Sequence, residues 1–327
     1  GVPSEITLNR GQSYQIKARG DLTGSRVRVV GDKADDCKKI AVYGGNKWVS
    51  VGACGQANDH LYQQAYPVNT WGNSFVHTAL LGRSSGELVK VLASEDNTEV
   101  RVNGVLQTKV LNRGEWMSLE FGANESGKID TSNPSSVTVF SKSQACNNPT
   151  APFATNGDPF MITYSPTEQL LTQLDFNAYS LPSIVNHYVN IVVKAGEENK
   201  TRLDGVNVGA SFQMLPGDPA YKIARIEITQ GVHNLSNPSG FTAYVYGFGN
   251  IESYGYAAGS ALVNLNFETE PDYAFDVVGE NVACLNQEGA WTVNPENPDF
   301  TYFVWNFGDG TTSNVATPAL HTYSTIN

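Results

Sequence analysis

Charge is scarce in this chain, and positive charge is scarcer: charged residues make up only 16%, with 32 acidic against 21 basic side chains. Phosphate backbones are bound by clustered Lys and Arg, and no basic stripe runs along the sequence, so nucleic acid is excluded as a partner. Long apolar runs are missing too. None approaches the roughly 20 residues of a spanning helix, so the segment reads as not membrane-spanning. Catalytic signatures are equally thin: there is no Gly-x-Ser-x-Gly elbow, no glycine-rich phosphate loop and no cysteine in a protease setting. The five histidines, His60, His77, His187, His233 and His321, are not spaced as metal ligands with one another or with cysteine. No cofactor, no metal and no enzymatic activity are expected.

What the chain has is turn and strand formers. Its 31 glycines and 15 tyrosines accompany abundant Asn, Ser and Thr, which favours an all-β fold. Strands are expected over Ile6–Ala18, Arg26–Val30, Lys38–Tyr43, Lys47–Val51, Phe75–Leu81, Glu87–Ala93, Glu99–Val102 and Val105–Val110. Asn103-Gly104 and Asp204-Gly205 are the strongest hairpin turns, because both central residues must adopt positive φ. Ser165-Pro166-Thr167-Glu168 combines a capping box with proline at the first helical position, and predicts one or two helical turns near 166–173. Pro67-Val68-Asn69-Thr70 is expected to make a similar turn.

The chain also repeats itself. Leu8-Asn9-Arg10-Gly11 returns as Leu111-Asn112-Arg113-Gly114 and more loosely as Leu215-Pro216-Gly217-Asp218. Val100-Arg101-Val102-Asn103-Gly104-Val105 is answered by Thr201-Arg202-Leu203-Asp204-Gly205-Val206, and Asn133-Pro134-Ser135 by Asn237-Pro238-Ser239. A unit of about a hundred residues points to tandem modules, since solenoid repeats are shorter. The expected organisation is a half copy over 1–46, a first full β module over 47–140, a second over 141–262, and a different module from 273. Duplicated scaffolds favour display of a surface over a catalytic pair, which would have to arise asymmetrically.

Of the cysteines Cys37, Cys54, Cys146 and Cys284, two flank apolar-rich runs around Gly44-Gly45-Asn46-Lys47. A two-residue hairpin at Gly45-Asn46 would set Cys37 opposite Cys54 in a non-hydrogen-bonded pair, where Cα atoms come closest. A Cys37–Cys54 disulfide is therefore expected, and with it an oxidising compartment.

From 273 to 327 the chain resembles a PKD domain. Trp305-Asn306-Phe307-Gly308-Asp309-Gly310, then Ser313, Pro318, His321 and Tyr323, follow that family's signature, with Asn306 where the family usually has Asp. The resemblance implies an immunoglobulin-like β-sandwich, cut before its last strand at Asn327. Residues 1–260 resemble the N-terminal region of the IgGFc-binding protein family, as found in surface proteins of gut bacteria related to Bacteroides. Ile40-Ala41-Val42-Tyr43, Asp59-His60-Leu61-Tyr62-Gln63-Gln64, Thr70-Trp71-Gly72, Gly157-Asp158-Pro159-Phe160-Met161, His187-Tyr188-Val189-Asn190 and Tyr254-Gly255-Tyr256-Ala257 carry it. This resemblance implies an extracellular binding or adhesion role at a bacterial cell surface, with a protein or glycan ligand such as a host mucosal glycoprotein. A structural spacer, or the accessory carbohydrate-binding region of a larger secreted hydrolase, are the alternatives.

Candidate ligand-binding residues follow from position and chemistry. Trp48, Tyr62, Trp71, Tyr254 and Tyr256 lie at turns or motif edges, where aromatic faces stack on sugars or anchor partners. Asp59, His60 and Asp158 fall at corresponding places in successive copies. The functional reading is a ligand or calcium site, and the plainer one is that each carboxylate ties down a local turn.

Overall fold

In Glu87-Leu88-Val89-Lys90-Val91-Leu92-Ala93 every second side chain is buried, the mark of a strand with one face on a core. That pattern recurs along a computed structural model describing residues 4–30, 40–54, 57–262, 265, 268–272, 284–294, 304–315 and 319–324. The chain divides into one unit of Gly1–Tyr66 with Trp71–Ala261, and a second of Pro67–Thr70 with Leu262–Asn327. Regular structure among the described residues is strand, apart from 3-10 turns of three residues. The fold is all-β.

In the first unit, β1 (Tyr43–Val49) and β2 (Asp59–Gln64) form an antiparallel pair. A seven-stranded sheet follows from β3 (Gly72–His77), β4 (Glu87–Ala93), β5 (Val100–Val102), β6 (Val105–Leu106), β7 (Trp116–Phe121), β8 (Gly127–Ser141) and β9 (Met161–Thr163). An eight-stranded sheet takes β10 (Leu171–Ala178), β11 (Ile184–Lys194), β12 (Arg202–Leu203), β13 (Val206–Asn207), β14 (Gln213–Met214), β15 (Tyr221–Ile228), β16 (Gly231–Gly249) and β17 (Glu252–Ala257).

The two sheets share one plan. The first half of β8 pairs with β3 and β5, and its second half with β4 and β9. In the same way β16 pairs first with β10 and β12, then with β11 and β17. The changeover falls at Asn133-Pro134-Ser135 in one strand and Asn237-Pro238-Ser239 in the other, the triplets already matched by sequence. Proline offers no N–H to the ladder, so the strand can bend and change partners there. The asparagine secures each bend: Asn133 Nδ2 donates to Thr98 Oγ1 at 3.2 Å, and Asn237 Nδ2 to Thr201 Oγ1 at 2.9 Å. Both hairpins form as expected, with φ of 49° and 79° at Asn103-Gly104 and 52° and 77° at Asp204-Gly205.

The amino-terminal segment keeps the repeated turn but not the strands. Gln12 N bonds Asn9 O at 3.0 Å and Gly11 has φ of 82°, matching Glu115 N to Asn112 O at 2.8 Å and Gly114 at 78°. Yet no ladder forms over Ile6–Ala18 or Arg26–Val30, and Tyr14, Ile16 and Val27 are exposed. A strand needs a partner for its backbone groups, and these segments have none among the described residues.

The expected helix at 166–173 is also absent. A single turn forms, with Gln169 N bonding Pro166 O at 2.9 Å, and β10 begins at Leu171. The capping box is dismantled by distant partners. Ser165 Oγ donates to Gly259 O at 3.2 Å, and Glu168 Oε1 accepts from Asn73 N at 2.9 Å. Tertiary hydrogen bonds thus replace the two reciprocal ones on which the local helix depends.

The core lies between the sheets. Alternate residues of β11 and β16 face two different clusters. Val189, Ile191, Val193, Phe241, Ala243 and Val245 pack within their own module, while Tyr188, Tyr244, Tyr246 and Phe248 pack on the first module's Val89, Val91, Ile129 and Val139. Strands buried on both faces read as nearly continuous apolar runs. A buried polar strip crosses the same seam. Tyr246 Oη donates to Asn190 Oδ1 at 2.8 Å and accepts from Leu81 N at 2.8 Å, and Asn190 Nδ2 reaches Thr78 Oγ1 at 3.0 Å.

In the second unit, β18 (Glu268–Asp272), β19 (Glu288–Asn294) and β22 (Ala319–Thr322) form one sheet, and β20 (Trp305–Asn306) pairs with β21 (Thr312–Ser313). Phe307 stacks on His321 at 4.0 Å, Asp309 Oδ2 lies 2.9 Å from His321 Nε2, and Tyr323 Oη donates to Phe307 O at 2.8 Å. Val68–Thr70 makes the turn expected there, with Thr70 N bonding Pro67 O at 3.0 Å.

Replacing Tyr246 by Phe leaves the half-buried Leu81 N–H and the buried Asn190 amide oxygen without this partner. We expect a loss of about 1–3 kcal/mol in urea unfolding, with the fold retained by circular dichroism.

Candidate functional site

Residues 43–49 contain a Gly-Gly-Asn sequence that invites a turn, yet they run straight through as β1. Gly45 lies opposite Tyr62 and Gly44 opposite Gln63. A Cβ at Gly45 would overlap the Leu61 carbonyl, so the glycine is there for close strand approach. The register slips once, between Asn46 and Val49, leaving Trp48 at a bulge. Asn46 Oδ1 accepts from Trp48 N at 3.0 Å and fixes it.

This geometry overturns the Cys37–Cys54 hairpin. With Gly45-Asn46 inside a strand, the segments around it do not fold back on each other. Cys54 instead joins Cys146, with Cα atoms 5.2 Å apart. Cys37 lies outside the described residues, and Cys54 has no sulfur valence left for it.

Alternation along β2 sorts the side chains. Leu61 is buried and Asp59 half-buried, while His60 and Tyr62 point outward. Tyr43 stacks on Tyr62 with centroids 5.1 Å apart and planes 1° from parallel. Tyr62 is 66% exposed, Trp48 64% and Tyr43 50%, so the aromatic surface is presented to solvent. Trp71 has a different place. It is half-buried, and its indole N–H donates to Tyr66 O at 3.1 Å. Tyr254 and Tyr256 are half-buried as well, and Tyr256 Oη donates to Asn177 O at 2.7 Å.

The arm is fixed to the body at several points. Ser143 N donates to Val51 O at 2.9 Å and Ser143 Oγ accepts from Val51 N at 3.0 Å beside the disulfide. Gln63 Oε1 accepts from Thr163 N at 3.0 Å. On the inner side, Asp59 meets Asp158, which is buried and held by the Ser253 hydroxyl. Burial pushes the Asp158 carboxyl up to about 7, the serine hydrogen bond opposes this, and the Asp59 charge adds to it. The two aspartates singled out in successive copies thus adjoin each other. Asp59 also holds His60, with Nδ1 and Oδ1 at 3.0 Å. Among the described residues no group of three or more His, Cys, Asp or Glu is arranged to hold a metal ion.

Sequence reasoning missed Arg83, which looks like part of a Ser- and Gly-rich turn. It is buried, stacks 5.3 Å from the Phe248 ring centroid, and donates to Asn147 Oδ1 at 3.0 Å and Lys142 O at 2.7 Å. Burial lowers its guanidinium to about 10. A Cβ at Gly157, which has φ of 75°, would collide with the guanidinium and with Phe248. Arg83 therefore fastens the loop that carries Asp158.

Two outcomes follow. A non-reduced digest should show the peptides of Cys54 and Cys146 linked, and reduction should lower stability by roughly 2–4 kcal/mol. Asp158 carries a folded-state value raised above the unfolded 3.8. Its contribution is complete below about pH 4 and is lost as pH rises through about 7. Compared with wild type, D158N should show a urea midpoint that falls less between pH 5 and 8.

Comparisons with known proteins bear on the family. No curated protein matches the chain. Two solved structures are similar at 9% identity and a TM-score of 0.18. An anti-sigma factor domain-containing protein covers 59% of this chain and 84% of its own, and the Pleurotus ostreatus lectin in its apo form covers 68% and 81%. Likeness at that level carries no argument about this chain. The family model described as IgGFc binding protein matches residues 1–247. That span contains both sheets up to Gly247 and all of the β1–β2 arm, and the chain belongs to the IgGFc-binding protein family.

Proposed function

We propose that this is an extracellular binding or adhesion segment that recognises a protein or glycan ligand without catalysis, and that the outward face of β1–β2 is its recognition surface. The carrying observation is the exposed set Tyr43, Trp48 and Tyr62 on an arm tied to the body by a disulfide. Exposed aromatic side chains clustered on a rigid support are a usual form of binding hot spot. Membership of a binding-domain family supports the same reading. The disulfide favours an oxidising exterior, such as a bacterial cell surface.

His60 contributes from the same face, while Asp59 and Asp158 act beneath it as supports. Trp71, half-buried with its indole N–H on Tyr66 O, stands apart from this exposed set. The proposed organisation stays a half copy over 1–46, modules over 47–140 and 141–262, and a PKD domain from 273 to 327. The aromatic stack of Trp305, Phe307 and His321 suits that last proposal.

The test is a binding screen of the intact chain against mucins, immunoglobulins and immobilised glycans. Reproducible binding that weakens about tenfold or more in W48A, with an unchanged urea midpoint, is the expected outcome. No binding by the intact chain would overturn the reading and leave a spacer.

A further inference from the structure

The geometry points to a carbohydrate-stacking site on the outward face of β1–β2, taking the apolar faces of one to three neutral pyranose rings. It rests on the reading above that this face binds a ligand, and it names the class.

Three features select this occupant. The first is size. Strands of seven and six residues side by side give a face about 20 Å long and about 10 Å wide, on the order of 200 Å². A stable protein partner ordinarily covers about 800 Å² per side. A short saccharide fits the area that exists.

The second feature is shape. On the outward face Gly45 lies opposite Tyr62 and leaves that spot of β2 without a facing side chain, whereas Gly44 faces Gln63 on the inner side. The parallel rings of Tyr43 and Tyr62 and the exposed indole of Trp48 border this bare spot. Flat aromatic surfaces beside open backbone suit the C–H face of a sugar ring, and their hydrophobic contact is non-directional enough to accept several sugars.

Charge is the third. The polar side chains that β2 puts on this face are Gln64 and His60, which offer hydrogen-bond donors and acceptors. Lys47 is the one fixed cation in either strand, and Asp59 is turned inward against Asp158. Sialylated or sulfated glycans need clustered Arg or Lys, which this face lacks. Neutral sugars match it.

The experiment titrates the full chain with cellotetraose, chitotetraose, mannotetraose and lacto-N-tetraose, with sialyllactose and enzymatically deglycosylated immunoglobulin G as contrasts. Calorimetry and tryptophan fluorescence are the readouts. At least one neutral tetrasaccharide should bind with little salt dependence and perturb the Trp48 emission. W48A and Y62A should weaken it about tenfold or more, and Y62F should retain it because the ring face is kept. Both sites are surface positions, so urea midpoints check that the variants fold. Sugar binding unaffected by W48A and Y62A overturns the site assignment. Binding of deglycosylated immunoglobulin alone overturns the sugar class and leaves the binding function standing. Silence toward every probe overturns both.

Discussion

The first unit depends on two strand stretches having no solvent face, His187–Val193 in β11 and Phe241–Gly249 in β16. β11 and β16 present Val189, Ile191, Phe241 and Val245 to their own module's core, and Tyr188, Tyr244, Tyr246 and Phe248 to the other's. Large aromatics bury much apolar area per residue, and the repeated sheets are joined by a core of that kind. Removing such area from water is the dominant favourable term. The polar strip of Tyr246, Asn190 and Thr78 through this seam adds direction. Each group must meet its partner, which fixes how one sheet sits on the other.

On that frame the β1–β2 arm is an addition, held by unlike means. Val51 and Leu61 supply modest burial, Cys54–Cys146 supplies a covalent tie, and the Asp59–Asp158 contact supplies a proton-dependent one. The fastening lies underneath, and Tyr43, Trp48 and Tyr62 on the outer side stay in water. A carboxyl lifted to about 7 by burial looks at first like a catalytic group. Here its oxygen is held by the Ser253 hydroxyl and it adjoins Asp59.

Local chemistry was readable residue by residue. Asn103-Gly104 and Asp204-Gly205 form their hairpins because Asn, Asp and Gly reach positive φ at low cost without help from distant residues. The Asn-Pro-Ser triplets were visible as a repeat, but their meaning, a strand changing partners, was not. Glu87–Ala93 was legible through its alternation. The capping box at Ser165–Glu168 was legible and still failed, since Gly259 and Asn73 took its two side chains. In the candidate site, Trp48 and Tyr62 stood out by type, and Trp71 looked the same although its half-buried indole N–H is bonded to Tyr66 O. Arg83 gave no sign at all, because its partners lie about sixty residues away.

Composition, turn dipeptides and duplication by themselves determined an all-β chain built twice on one plan, since each is encoded within a few neighbouring residues or by comparison of the chain with itself. Only the tertiary structure decided which sulfur Cys54 meets, which aspartates adjoin and which aromatics stay in water. Those outcomes depend on segments far apart in the chain arriving at the same place, and the residue spacing along the sequence holds no record of that distance.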